Sequence, residues 1–450
     1  MSAHPSVASE PLAAWLERQE ACAARNLFLG ISSVAIVKTR PSLGQTVRPV
    51  RGAIVASHVL GAYDPDPDYF FHWFRDSALV IDALRLLHEQ GAAGAEALGH
   101  LRDFVTFSLS LQALDGRALA ASTAWRAAVT EDFAKFLRTN EELAGVHGES
   151  VAAETRVNPD GTLDVLSWPR PQHDGPALRA LALLRWARTV PFDAELDAAA
   201  ARLLELDLGF VRRRARLPCF DIWEEEKGLH YYTLAVSAAA LDEGAPWLEA
   251  RGERDEAAAC RAEADAIRRL LDGYWREDEG YYRSRVLESG SRSTKELDIA
   301  VVLAAIHGRQ AWERHSPSDP RVLATLERLE RLFDAEYPIN HGRPAYRGPA
   351  LGRYPGDVYY SGGAYYFSTL GGAELCFRAA AAGAPDAPAL VRRGDAFLET
   401  VRAFTPPSGC LSEQFCGRTG VQTSARHLGW SYAAFITCLA ARRAALEKLA

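Results

Sequence analysis

The sequence predicts an all-α fold, an (α/α)6 barrel of six inner and six outer helices. Three observations lead to it. Apolar residues recur with helical period through twelve segments. These segments alternate between two kinds, apolar on nearly every side or apolar on one face only, as a buried inner layer wrapped by an amphipathic outer layer would require. Strand-like runs do not alternate with helices, which disfavours a parallel-sheet α/β architecture. A helical solenoid would share the alternation of buried and amphipathic helices.

Taken in order, the segments fall into place as follows. The first, 10–28, precedes a second, 75–90, that is apolar nearly all round over 79–87. The third is 92–113. The fourth, 175–189, is buried over 178–184 and opens on Asp174-Gly175-Pro176, a capping residue followed by an early proline. Segments 193–211, 253–275, 319–336 and 386–403 carry charged faces and read as outer helices. Between them lie 230–247, apolar over 234–241, and 295–307, apolar over 299–306. Segments 362–380 and 425–447 complete the inner set. Ala and Leu are abundant and β-branched runs are few, which favours helix throughout. Two strand-like pieces, 51–58 and 280–286, sit in connections, and short helical material at 128–145 lies in a long one. No linker rich in Pro, Gly or Ser divides the chain, so one domain over 1–450 is expected.

Composition removes several classes of function. The 450 residues are 48% hydrophobic and 24% charged, an ordinary globular mix. No run of about 18 apolar residues appears, so a membrane span is not expected. Net charge is −7, from 51 basic and 58 acidic side chains. Only Arg212, Arg213, Arg214 and Arg216 cluster, so nucleic acid is not expected as a partner. The seven cysteines include no CxxC pair, and the 12 histidines show no HxH or HExxH spacing. No metal and no cofactor are expected. The start, Met1 to Ala14, lacks a basic stretch followed by an apolar one, so a cytoplasmic protein with reduced thiols is expected, and a monomer.

The loops ahead of the buried helices hold the unusual chemistry. They are Tyr69-Phe-Phe-His-Trp73-Phe-Arg75-Asp76, Ser167-Trp168-Pro-Arg170-Pro-Gln-His173-Asp174, Phe220-Asp221-Ile-Trp223-Glu224-Glu225-Glu226, Arg353-Tyr354-Pro-Gly-Asp357-Val-Tyr359-Tyr360, and Leu411-Ser-Glu413-Gln414 with Ser424-Ala-Arg426. Parallel inner helices would gather these loops at one end of the barrel. Arg and Asp make directional, charge-assisted hydrogen bonds to sugar hydroxyls. Trp and Tyr cover the C–H faces of a sugar and expel water. Two carboxyl groups then suffice for glycoside cleavage. Each motif alone has a plainer reading: Asp76 and Asp174 as helix caps, and 224–226 as a solvated helix start. Their common placement carries the argument.

Six ordered motifs resemble the catalytic domain of the glucoamylases, glycoside hydrolase family 15: Arg75-Asp-Ser-Ala-Leu79, Arg170-Pro-Gln-His-Asp-Gly-Pro-Ala-Leu178, Asp221-Ile-Trp-Glu-Glu225, Arg353-Tyr-Pro-Gly-Asp357 with Tyr359, Ser412-Glu-Gln414, and Ser424-Ala-Arg426 with Trp430. The likeness runs from Ala14-Trp15-Leu16 to the last helix. It implies an inverting exo-hydrolase releasing β-D-glucose from the non-reducing ends of α-glucans or malto-oligosaccharides. It also implies Glu224 as general acid, Glu413 as general base, and Arg75, Asp76 and Arg353 on the hydroxyls of the terminal glucose. Tyr69 and Trp168 would line the cleavage point and Glu225 would bind the next sugar. Trp73, Arg170, Asp221, Trp223, Tyr359, Ser424 and Trp430 complete the expected substrate site. The like charges of Asp221, Glu225 and Glu226 and the apolar Trp223 and Phe220 are expected to keep Glu224 protonated. Glu413, between neutral Ser412 and Gln414, is expected to be ionised.

The chain departs from the family pattern in places. Ser361-Gly-Gly-Ala-Tyr365 replaces a fungal Asn-Gly-Asn-Pro-Trp, Lys227 an Asn, and His173 an Arg, all read as lying near outer subsites. About thirty extra residues form an insertion near 119–149, read as shaping the pocket mouth. These departures leave α-1,6-linked (isomaltose, dextran) or trehalose substrates as the alternative. A phosphorylase or a non-catalytic glucan-binding protein is disfavoured by the presence of both Glu224 and Glu413.

Overall fold

A computed structural model describes residues 10–61 and 66–450. The leaderless start read at the N-terminus lies, as far as Ser9, outside the described residues. The helices are α1 (Leu12–Gly30), α2 (Phe74–Glu89), α3 (Glu96–Ser110), α4 (Gly116–Ala121), α5 (Asn140–Ala144), α6 (Asp174–Thr189), α7 (Ala194–Arg214), α8 (Tyr231–Ala250), α9 (Arg254–Asp272), α10 (Ala300–Gly308), α11 (Pro320–Glu336), α12 (Tyr366–Ala381), α13 (Ala387–Phe404) and α14 (Gly429–Leu449). Apart from the short α4 and α5, these are the twelve segments that the periodicity predicts.

The inner ring runs α2, α6, α8, α10, α12, α14, and α14 packs back on α2 to close it. The outer helices lie against it: α1 on α14, α3 on α2 and α7, α7 on α6 and α8, α9 on α8, α11 on α10, α13 on α12. This is the (α/α)6 barrel. The layers follow from side-chain distribution. All of α10 is buried. By contrast α9 buries one stripe, Ala257, Cys260, Ala264, Ile267 and Leu271, at the three- and four-residue spacing of a single helix face. In α11, Leu326, Leu329 and Phe333 are fully buried, and each contributes roughly 1.5–3 kcal/mol relative to exposure. Among the described residues, no helix is long and apolar enough to cross a membrane.

Several boundaries differ from the sequence reading, each for a local reason. Segment 51–58 is not a strand. Its backbone bonds go in turn to Gly30, Phe71, Tyr69 and Gly429, so it threads between neighbours without a ladder. Segment 280–286 yields only Tyr281–Tyr282 and Arg285–Leu287. α10 starts at Ala300 rather than 295, after a turn in which the Asp298 carboxylate accepts the Ala300 N–H at 2.8 Å. The short helical material at 128–145 is a 3-10 turn, Ala134–Phe136, and α5, separated where Leu137 pairs with Leu166 as an isolated bridge.

Short antiparallel pairings brace one end of the barrel. His72–Trp73 pairs with Arg156–Val157. Cys219–Phe220 and Arg285–Leu287 both pair with Lys227–His230, bracketing the turn 221–226. Ala364–Tyr365, Gln414–Phe415 and Gln422–Thr423 form a third small sheet, next to Glu413.

Candidate active site

The turn that presents Glu224 is built by Asp221. One Asp221 oxygen accepts the backbone N–H groups of Glu225 (2.7 Å) and Glu226 (3.1 Å), and the Asp221 carbonyl accepts that of Glu224 at 2.9 Å. Glu224 itself has φ +66°, a left-handed conformation that costs a non-glycine residue about 1 kcal/mol or more and concentrates at functional sites. Its two oxygens face different donors. Trp73 Nε1 donates to Oε1 at 2.8 Å, and Arg75 Nη2 lies 3.4 Å from the same oxygen. Trp168 Nε1 donates to Oε2. The three neighbouring carboxylates are all drawn to cations. Asp221 and Glu226 are each 2.9 Å from Arg285. Glu225 is bound by Lys295 (2.6 Å), Arg353 (3.0 Å) and the Tyr354 hydroxyl. Asp221, Glu225 and Glu226 thus sit in ion pairs that sequence proximity did not reveal.

Glu413 stands at the edge of the small sheet holding Gln414. Its backbone N–H bonds the Ala425 carbonyl at 2.8 Å. The Ser424 hydroxyl donates to one carboxylate oxygen, and Tyr69 reaches the other at 3.4 Å while sharing a 2.7 Å bond with Tyr359. Burial pushes the Glu413 carboxyl up to about 7, with Asp76 adding to the rise and Ser424, Arg353 and Tyr69 opposing it. Ser412 and Gln414, its chain neighbours, bond elsewhere, because successive residues of an extended segment point to opposite faces.

Arg75 and Asp76 open α2. Arg75 lies 3.4 Å from Asp76 and 3.5 Å from Asp174. Burial pushes the Asp76 carboxyl up to about 6 against the pull of Arg75. Asp76 Oδ2, Arg75 Nε and Trp430 Nε1 are buried and make no hydrogen bond. Arg353 is held by Asp357 through two bonds of 2.6 and 2.7 Å. Trp430 stacks on Phe367 with ring centroids 4.2 Å apart, and Trp223 stacks beside both.

These groups surround one cavity of about 230 Å³. Its walls include Tyr69, Trp73, Arg75, Asp76, Trp168, Trp223, Glu224, Glu225, Arg353, Tyr359, Glu413 and Trp430. Trp430 also borders a smaller cavity in the barrel lumen, so its ring forms the inner end of the pocket. Three residues expected at the substrate lie behind the wall. Arg170 is engaged by Glu154 and Asp164, Asp221 shapes the Glu224 turn, and Ser424 supports Glu413. The departures from the family pattern are also displaced from the pocket. His173 packs against Phe210 and is held by burial at about 4, hence neutral. Tyr365 is buried and donates to Asp357 at 3.0 Å. Lys227 pairs with Glu288.

Sequence reasoning missed the contributions of Lys295, Arg285, Asp298 and Tyr354. Asp298 accepts the Trp223 indole N–H at 2.9 Å and pairs with Arg285. Arg285, Lys295 and Asp298 stand as single charges in the connection ahead of α10, and Tyr354 sits beside Arg353 in a loop of its own, so nothing in the sequence marked them as partners of the Glu224 turn. Among the described residues, no group of three or more His, Cys, Asp or Glu side chains is placed to hold a metal ion.

Comparison with known proteins agrees with this geometry. The profile of the glycosyl hydrolases family 15 matches residues 36–392 and 383–440. Glucoamylase 1 of Rhizopus oryzae is 28% identical, over 96% of this chain and 72% of that protein. The probable glucoamylase of Schizosaccharomyces pombe is 28% identical, over 87% and 85%. The glucoamylase structure of Hormoconis resinae superposes with TM-score 0.76 at 25% identity, covering 96% of this chain and 74% of that one. That of Saccharomycopsis fibuligera, at 20% identity, shares the fold with TM-score 0.77 over 100% and 99%. A pocket with two carboxyl groups from separate inner-helix loops, set on a closed double ring of helices, and a family match over most of the length lead to one conclusion: the chain belongs to glycosyl hydrolases family 15 and is a glycoside hydrolase.

Proposed function

We propose that the chain is an inverting, exo-acting glucan 1,4-α-glucosidase that releases β-D-glucose from the non-reducing ends of α-glucans or malto-oligosaccharides. The observation that carries the reading is the pairing of Glu224 and Glu413 on one pocket whose inner end is stopped by Trp430. A stopped pocket admits a chain end rather than a chain middle. The unsatisfied Asp76 and Arg75 atoms at that pocket are donors and acceptors that sugar hydroxyls would complete. Glu224 protonates the leaving glycosidic oxygen, and Glu413 removes a proton from the attacking water on the opposite face of the sugar. Glu225, fixed by Lys295, Arg353 and Tyr354, is positioned to meet the sugar beyond the cleaved bond. The names of the relatives support the α-1,4-glucan as substrate. A panel of maltose, maltotriose, isomaltose, trehalose and soluble starch should rank the α-1,4 substrates first.

The stereochemistry is the direct test. Proton NMR in the first minutes of turnover, before mutarotation, is expected to show β-glucose. Early α-glucose would mean that Glu413 attacks the anomeric carbon itself, and would overturn both assigned roles.

The pH profile follows from the surroundings of Glu413. As a base it acts only when ionised, and burial raises its pKa to about 7. Activity in kcat/KM should therefore fall as pH drops through about 7. Removing the Ser424 hydroxyl takes away a donor that favours the carboxylate, so Ser424→Ala should move this acid limb to higher pH. The loss should be larger at pH 6 than at pH 8. A limb that stays in place, or moves down, would count against Glu413 as the base.

A further inference from the structure

We propose that Arg156 is a positioning residue for the general acid: its guanidinium, wedged against Trp73 and Trp168, fixes the two indole N–H groups on Glu224, and the 119–149 insertion braces it through a buried ladder of alternating charges. The inference rests on the reading of Glu224 as the acid.

Arg156 is 1% exposed. It lies opposite Trp73 in the short strand pair. Its guanidinium carbon is 3.8 Å from the Trp168 ring centroid, 4.6 Å from that of Trp73 and 4.1 Å from that of Phe71. A cation at that range is attracted by the negative ring faces, most strongly for Trp, and more so away from water. Those same two rings donate their N–H groups to opposite oxygens of Glu224. One cation therefore sets the tilt of both donors.

What holds Arg156 is equally specific. Asp164 Oδ2 accepts from Arg156 Nε at 2.8 Å and from Arg170 Nη2 at 3.2 Å. Glu154 accepts from Arg170 Nε at 2.6 Å and from Arg138 through bonds of 2.9 and 3.1 Å. Two carboxylates thus serve three guanidiniums. Arg138 is gripped twice by Glu154, whereas Arg156 hydrogen-bonds a carboxylate through Nε alone, while its guanidinium lies over the Trp168 and Phe71 rings. Arg138 belongs to the insertion, and the backbone there grips the Trp168 loop directly. Arg138 N–H bonds the Val165 carbonyl at 2.9 Å, and Ser167 N–H bonds that of Phe136 at 2.7 Å. The insertion thereby acts on the residues immediately before Trp168.

Kinetics of R156M and R156K on maltose and on α-glucosyl fluoride, with E224Q in parallel, test the proposal. Maltose needs a proton delivered to its leaving oxygen, while fluoride needs far less help. R156M is expected to lower kcat on maltose by about 10²-fold, the scale of a catalytic group displaced by about 1 Å. KM should hold and the fluoride should be largely spared. R156K keeps a cation against the rings and should recover most of the loss. Equal losses on both substrates, or undiminished kcat on maltose in folded R156M, would overturn the inference. If R156M does not fold, D164N serves instead: it keeps the cation but loosens its seat, and should show the same substrate selectivity with a smaller loss. No selectivity in D164N would overturn the inference too. If E224Q separates the two substrates and the Arg156 variants do not, only this inference fails. If E224Q loses both equally, the acid assignment falls and takes this inference with it.

Discussion

Replacing Glu224 by glutamine is expected to cut turnover of maltose and longer malto-oligosaccharides by about 10²–10⁴-fold, the usual contribution of general-acid catalysis. The amide keeps the size of the side chain but cannot deliver a proton. α-Glucosyl fluoride should be partly spared, because its leaving group needs little protonation. Substrate affinity should persist, since Arg75, Asp76 and Arg353 remain. The site adds a detail to the experiment. Both Glu224 oxygens accept an indole N–H in the native protein. A glutamine has one oxygen, so one indole donor meets an NH₂ group and loses its bond. A melting curve should accompany the kinetics, because a buried donor left unpaired costs about 1–3 kcal/mol. Equal losses on the two substrates would remove Glu224 from the acid role.

Glu413→Gln is expected to give a loss of similar size, about 10²–10⁴-fold, with a different signature. Water must be deprotonated whichever group leaves, so maltose and α-glucosyl fluoride should suffer alike. The contrast between the two variants is more informative than either loss alone. It assigns the two carboxyl groups without reference to their order in the chain. A fluoride substrate spared by Glu413→Gln would reverse or void the assignment. Ser424 and Tyr69 meet different oxygens of Glu413, but a hydroxyl, unlike an indole N–H, can also accept from the amide NH₂, so the fold should be little affected.

Much of the barrel was legible because burial leaves a mark on composition. α10 has no solvent side and no charged residue before its C-terminal cap, whereas α9 keeps one apolar stripe in a charged helix. Helix starts were less legible. The turn before α10 can be recognised only once the Asp298 carboxylate is seen to meet Ala300 N–H, past the expected start at 295. The pocket walls were legible where aromatics and charges cluster in one loop, as in 69–76 and 220–226. The supports of those walls were not. Arg285, Lys295 and Asp298 reach the Glu224 turn and Trp223 from a connection some 60 to 75 residues away in sequence. Isolated charges in a loop look the same whether they face water or a buried carboxylate. The same holds for Arg170, which sits in a recognisable motif yet points into the Glu154–Asp164 ladder instead of the pocket.

The closed ring has a consequence for how the enzyme comes into being. The seam of the barrel is α14 against α2, and Glu413 lies in the loop just ahead of that final stave. A chain emerging from the ribosome carries the proposed proton donor, Glu224, before the proposed base, Glu413, which follows only after the other five staves are out. Domains generally fold as units, and a partial product that stops short of 413 would lack one of the two proposed catalytic carboxyl groups. Trp430, the stop at the inner end of the pocket, arrives later still. The unfinished barrel is thus expected to be silent toward glucans until the last helix closes the ring.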